Sequence, residues 1–267
     1  MPDQPDSVMP EREVEQTTTA ATTTTTRSIS SPRYATQPSS TFTVYRGHLL
    51  PDHPARILPP IDLLFLVDSS SSIGLVNFDQ IKANINKVLE DVDIAPGRSR
   101  VALIYYSKDP IVAFGFDRYY TLESIKRGVD RVPYTGGSTM LGKALSFASG
   151  ILWREQNLKD EKIAKNKLAP TPRHDRLQIL MVVSDGVSED NVEKATPLLF
   201  EQLQVKIGAM VTRFTNREKL VPVTRFDGAV FVMDQHESIN IWMWRQQRLW
   251  MDNYETYLER EKTLLTA

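Results

Sequence analysis

Residues 61–67, Ile-Asp-Leu-Leu-Phe-Leu-Val, constrain this chain more than any other segment. The run has the length of a strand and is nearly continuously apolar, without the alternation of a half-exposed strand. A strand of that kind is covered on both faces, as in parallel sheets between two layers of helices. Residues 178–183 repeat the pattern, and strands are also expected at 101–106, 111–116, 205–211 and 229–233. Between them the apolar period changes to that of a helix. Phe78, Ile81, Ile85, Val88 and Leu89 form one stripe over 75–90. Leu122, Ile125 and Val129 mark a short helix, and Leu141, Ala144, Leu145, Ala148, Ile151 and Leu152 a longer one. Val192, Ala195, Leu199 and Leu203 predict another, and a long helix is expected from about Glu237. Strands alternating with helices predict an α/β domain with a doubly wound, mostly parallel central sheet and helices on both faces. The four residues 107–110 suit a hairpin, so one edge strand is expected to be antiparallel.

In such sheets ligands sit beyond the carboxyl ends of the strands, so the segments to inspect follow each strand. After the first comes Asp68-Ser69-Ser70-Ser71-Ser72-Ile73-Gly74; after the strand at 178–183 comes Ser184-Asp185-Gly186. Before the longer helix lies Tyr134-Thr135-Gly136-Gly137-Ser138-Thr139. Asp68, Ser70 and Ser72 alternate, so an extended loop turns all three toward one point, where Thr139 and Asp185 can meet them. Two carboxylates and three hydroxyls are an all-oxygen set, the preference of hard cations such as Mg²⁺ or Mn²⁺. Neutral hydroxyls leave the metal electron-poor and partly hydrated, so an incoming carboxylate can displace a water. Taken alone, the first motif also reads as a turn with a helix N-cap, and Asp185-Gly186 as a tight turn.

Together the three motifs resemble those of the von Willebrand factor type A domain. In that family a metal-ion-dependent adhesion site combines Asp-x-Ser-x-Ser, a Gly-Gly-x-Thr loop and an Asp-Gly turn. Asp68, Ser70 and Ser72 fill the first; Gly136, Gly137, Ser138 and Thr139 the second; Ser184, Asp185 and Gly186 the third. The resemblance spans roughly residues 60–245 and extends to Ile73, Gly74, Phe78, Gly142, Ser188 and Asp190. It implies metal ligands Asp68, Ser70, Ser72, Thr139 and Asp185, with Ser69, Ser71, Gly136, Gly137, Ser138 and Gly186 in the ligand-binding loops. It further implies a protein ligand with an exposed Asp or Glu, collagen or another matrix or receptor protein among them, and an extracellular or secreted setting. The alternative is a scaffold of this fold that binds through other surfaces, with the metal structural or absent. Two features depart from the family. There is no cysteine to link the domain's ends, and Leu141 stands where a second Thr often follows.

Composition narrows the rest. Lys+Arg is 32 against Asp+Glu 33, which speaks against a nucleic-acid binder. Without cysteine, disulfides, thiolate metal sites and a Cys nucleophile are excluded. No Gly-x-Gly-x-x-Gly opens a helix, no Gly-x-Ser-x-Gly elbow exists, and Ser70 stands where an aspartyl-phosphate enzyme needs a second Asp. No enzyme is expected. No stretch approaches a transmembrane span, and the N-terminus lacks the apolar core of a signal peptide. Residues 1–58, rich in Thr, Ser and Pro, are expected to be a disordered tail, or an O-glycosylated stalk if secreted. Residues 59–249 then form the domain and 250–267 a helical extension whose stripe of Trp250, Tyr254, Tyr257 and Leu258 docks on this domain or on a partner. The charged stretch from Glu155 to Arg176 reads as a solvated loop. His48, His53, His174 and His236 show no metal spacing and read as solvated.

Overall fold

The computed structural model describes residues 49–157, 176–212, 215, 220–225 and 229–266; side chains are described as far as Asp252. The elements alternate as the hydrophobic periods require. Strand β1 is Ile61–Asp68, helix α2 Leu75–Glu90, β2 Arg100–Tyr106, β3 Pro110–Phe114, α3 Leu122–Asp130 and α4 Leu141–Asn157. Then follow β4 Leu177–Ser184, β5 Lys206–Val211, the short α5 Val221–Thr224, β6 Val230–Val232 and α6 His236–Thr266. A further short helix, α1, spans Pro54–Ile57 before β1.

The six strands form one sheet in the order β3-β2-β1-β4-β5-β6. All neighbours are parallel except the β2–β3 hairpin at one edge. All eight residues of β1 and of β4 are buried, as continuous apolar runs between two helix layers demand. Side chains alternate across the sheet. Leu63, Phe65 and Val67 pack with α2, α3 and α6 on one face, and Leu64 and Leu66 with α4 on the other.

Four expectations change. The apolar residues at 192–203 are largely covered, yet the helix there is short, confined to 196–202, and π-helical over Leu198–Gln202. Pro197 lacks an amide hydrogen and so opens a helix but cannot continue one. The folded part also begins before residue 59. Leu49, Ala55 and Leu58 are buried, and the Arg98 guanidinium donates to the carbonyls of Arg56 and Leu58, both at 3.0 Å. Gln247 of α6 donates to the Pro59 carbonyl at 2.6 Å. The rest of the expected tail lies outside the described residues. His53 is not solvated: its ring stands edge-on to Trp244 at 5.5 Å, and its Nδ1 accepts the Ala55 amide hydrogen. His48 and His174 lie outside the described residues. In α6, Ile239, Met243 and Gln247 are buried and Trp250 packs partly on the core, while the side chains of Tyr254, Tyr257 and Leu258 are not described.

The ends of the expected 155–176 loop are also not solvated. Arg176 is buried, and Glu155 belongs to α4. Both join Asp62 and Arg100 in a network at the amino end of the sheet. Arg100 grips Asp62 with two hydrogen bonds, of 2.9 and 2.5 Å, and reaches Glu155 at 3.0 Å and Asp117 at 2.9 Å. Arg176 approaches Asp62 at 3.6 Å. Burial opposes the charge on Arg100, but Asp62, with Glu155 and Asp117, outweighs it and raises the guanidinium further above its ordinary value.

Candidate metal-binding site

At the opposite, carboxyl end of the sheet the strand order switches at β1, with β2 on one side of it and β4 on the other, so a crevice between the following loops opens beside β1. Asp68 ends β1 there. The register puts Tyr106 of β2 beside it, and Ser184 follows Val183, the β4 partner of Val67. Asp68 is fully buried. Its Oδ1 accepts the Ser70 amide hydrogen at 2.9 Å; its Oδ2 accepts the hydroxyls of Tyr106 and Ser184, both at 3.3 Å. Burial pushes its carboxyl from the ordinary 3.8 up to about 6; the hydrogen bonds from Ser70 oppose this, and the charge of Asp185 adds to it. Among the described residues no basic side chain pairs with Asp68. The Tyr106 phenol is held well above its ordinary value, first by burial and then by the Asp68 charge.

The loop after β1 separates its side chains by parity. Ser70 Oγ and Ser72 Oγ lie 3.0 Å apart. Ser69 and Ser71 instead stitch the loop to its neighbour: Ser69 Oγ meets Thr135 Oγ1 at 2.6 Å, and Ser71 Oγ accepts the Gly137 amide hydrogen at 2.7 Å. Backbone bonds from Gly136 to the Ser69 carbonyl and from Ser71 to the Gly137 carbonyl complete the seam. Gly136 and Gly137, at φ of 66° and 90°, occupy the left-handed region that a side chain would strain. None of the motif residues caps α2. Its N-cap is Gly74, with no side-chain cap, so the capping alternative does not account for the motif.

Thr139 is buried at the far side of that loop. Its N–H donates to Glu189 Oε1 at 3.0 Å and its carbonyl accepts the Glu189 N–H at 2.8 Å. Among the described residues its hydroxyl makes no hydrogen bond to Asp68, Ser70, Ser72 or Asp185. Asp185 is half-buried; its Oδ1 accepts the Val187 amide hydrogen at 2.9 Å, and its charge reaches Asp68. Gly186 donates to Ser184 Oγ at 3.0 Å. Asp190 spans the first amides of α4, accepting from Gly142 and Lys143 at 2.7 Å each. A Cβ at Gly142 would lie 2.2 Å from the Asn191 carbonyl, so only glycine allows this approach. Asp68, Ser70 and Ser72 are thus joined directly, Asp185 electrostatically, and Thr139 through its loop. Among the described residues no three His, Cys, Asp or Glu side chains converge. A cation here would take two carboxylates and complete its shell with hydroxyls and water, the donor set of a hard ion.

The sequence profile of the von Willebrand factor type A domain matches residues 62–235. The chain belongs to this family. It is 34% identical over 169 residues to the collagen alpha-1(XX) chain of Mus musculus, covering 62% of this chain and 12% of that one. It is 27% identical over 135 residues to human matrilin-3, covering 51% of this chain and 26% of that one. The chain therefore spans only a small part of these relatives. The relatives are extracellular matrix proteins, not enzymes, and the type A domain shared with them is a non-enzymatic module. The fold is shared with proximal thread matrix protein 1 of the mussel byssus, at a TM-score of 0.54 and 17% identity, over 68% of this chain and 47% of that one. That protein has also been solved with zinc in its MIDAS motif.

Two residues of this type A domain, Tyr106 and Glu189, escaped the sequence reading as parts of the site. Tyr106 reaches Asp68 only through strand register, although it ends its strand. Glu189 gave no signal beyond its place in the loop after Asp185. Among the described residues no helix is long and apolar enough to cross a membrane.

Proposed function

We propose that the domain is a divalent-metal-dependent protein-binding module that captures an acidic group of a protein ligand. Asp68, Ser70, Ser72, Thr139 and Asp185 would hold Mg²⁺ or Mn²⁺, and the bound ion would supply a Lewis acid for the ligand carboxylate. The two aspartates provide charge, directly or through water, and the three hydroxyls provide neutral oxygens that leave the metal acceptor strength to spare. Ser69, Ser71, Gly136, Gly137, Ser138 and Gly186 shape the loops around it. One observation carries the reading: a carboxylate buried at the crevice of the sheet, surrounded by oxygen donors and, among the described residues, without a basic partner. Buried charge without a counter-charge is costly, and a cation from solution removes that cost. The relatives' names, collagen and matrilin, support a matrix ligand and an extracellular setting. The binding domain runs from about residue 49 to 249, the residues before it supply the tether, and 250–267 extend the last helix.

Thermal and chemical unfolding of the full chain in EDTA, Mg²⁺ and Mn²⁺, with Asp185→Ala beside wild type, tests the site. Metal at 100 times its dissociation constant stabilises wild type by about 2.7 kcal/mol, and Asp185→Ala loses the effect. Absence of any shift at millimolar metal overturns the reading and leaves a scaffold that binds through other surfaces.

A further inference from the structure

Three loops meet at the carboxyl end of the sheet, and the hydrogen bonds show that they are joined in series. The loop after β1 is sewn to residues 135–137 through Ser69 and Ser71. The loop after β4 is joined to residues 139–143 through Glu189 and Asp190. The segment 135–143 is therefore the bridge, and Thr139 lies on it between the two seams. Its hydroxyl has no partner of its own among the other proposed ligands, so its place is decided by its backbone. Both backbone groups of Thr139 are bound by one residue: Glu189 donates its N–H to the Thr139 carbonyl and accepts the Thr139 N–H on its carboxylate. Glu189 is itself exposed, so it fills no core space.

We infer that Glu189 is a positioning residue for the metal site, holding Thr139 at the distance from Asp185 that lets both serve one ion. This rests on the reading of the site given above. Glu189 stands four residues beyond Asp185 in the same short loop, so its reciprocal bonds set the spacing between the loops that carry Asp185 and Thr139. Asp190 does a different task. It grips the amides of α4 and anchors the helix, whereas Glu189 alone holds the ligand residue. The part of Glu189 that matters is an acceptor oxygen in place, not its charge, because its partner is a neutral amide. Glutamine presents the same carbonyl oxygen at the same reach; alanine presents none.

Outer partners of metal ligands typically cost 10–100-fold in affinity when removed. The test is a Mn²⁺ titration of the full chain followed by electron paramagnetic resonance, with the metal alone as probe. It uses wild type, Glu189→Ala, Glu189→Gln and Asp185→Ala, with melting of each in EDTA. The expected result is that Glu189→Ala weakens Mn²⁺ by about tenfold or more while its melting temperature in EDTA falls only as far as the loss of one hydrogen bond allows, and that Glu189→Gln binds within about threefold of wild type. A merely structural role would lower the melting temperature in EDTA and leave Mn²⁺ affinity unchanged. Unchanged affinity in Glu189→Ala, or equal loss in both Glu189 variants, overturns the inference while the site itself stands. Wild type binding no better than Asp185→Ala overturns the site, and the inference with it.

Discussion

Strand β1 carries a buried aspartate at each end. Asp62 and Asp68 share a face of the sheet, roughly 20 Å apart at about 3.3 Å per residue, and neither is accessible to solvent. Their surroundings differ in kind. Asp62 meets two guanidiniums, one in a forked pair, and Glu155 and Asp117 extend that network. Asp68 meets an amide and two hydroxyls, and its nearest charge is another carboxylate. At one pole the chain neutralises its own buried charge. At the other no counter-charge is present among the described residues, and the proposed cation would supply one. The same residue type on the same strand is structural in one place and available for binding in the other because of what the adjacent strands and loops contribute.

Asp62→Asn is expected to have the largest effect, because it removes the buried charge that Arg100 grips with two hydrogen bonds and that Arg176 approaches. Breaking a buried pair costs about 3–5 kcal/mol, read as a lower urea midpoint at neutral pH. A loss below about 1 kcal/mol would dissolve the contrast between the two poles. Asp68→Asn has the opposite sign in EDTA. A folded-state carboxyl raised from 3.8 to about 6 burdens the native state with a penalty that is absent below about pH 4, grows between the two values and is complete above the higher. At pH 7.5 the ceiling on the gain from Asp68→Asn is about 3 kcal/mol. The expectation is a midpoint above wild type at pH 7.5 that converges with wild type at pH 4, and loss of stabilisation by Mg²⁺. A variant less stable than wild type in EDTA at pH 7.5 would show that Asp68 holds the fold together as Asp62 does. Tyr106→Phe removes one long hydrogen bond and should cost about 1 kcal/mol. A double-mutant cycle with Asp68→Asn then shows whether that cost belongs to the Asp68 carboxylate. The smallest effect is expected at Lys143→Ala. Its partner Asp109 is exposed, and although Lys143 lowers the Asp109 carboxyl, melting should be unchanged within error in low and high salt.

The two poles were unequally legible in the sequence. The carboxyl pole announces itself because its residues are local: Asp68, Ser70 and Ser72 fall within five positions, and the other motifs directly precede α4 or follow β4. The alternation of parity in that loop, with even residues toward the site and odd ones toward the neighbouring loop, is also readable from extended geometry. The amino pole is silent. Asp62 interrupts an apolar run without changing its character, and its partners lie 38 and 114 positions away on β2 and just before β4. Only parallel register brings them together, and Arg176 reads as the end of a solvated loop until it does. The same limit hid Tyr106. The residues from Leu49 to Leu58 were lost for a different reason: they adjoin a Thr-, Ser- and Pro-rich stretch and are broken by two prolines, which conceals three buried apolar residues on a backbone that Arg98 helps to hold.

That early segment has a mechanical consequence. It is clasped at the amino end of the sheet, by Arg98 and by Gln247, while the candidate metal site opens at the carboxyl end. A pull entering the domain at residue 49 and leaving through a ligand on the metal runs lengthwise along β1. That strand lies between β2 and β4 with ladders on both sides, so such a load shears two rows of hydrogen bonds together instead of peeling them one at a time. Under the proposed function, force between residue 49 and a bound ligand would thus be carried by the two ladders that flank β1.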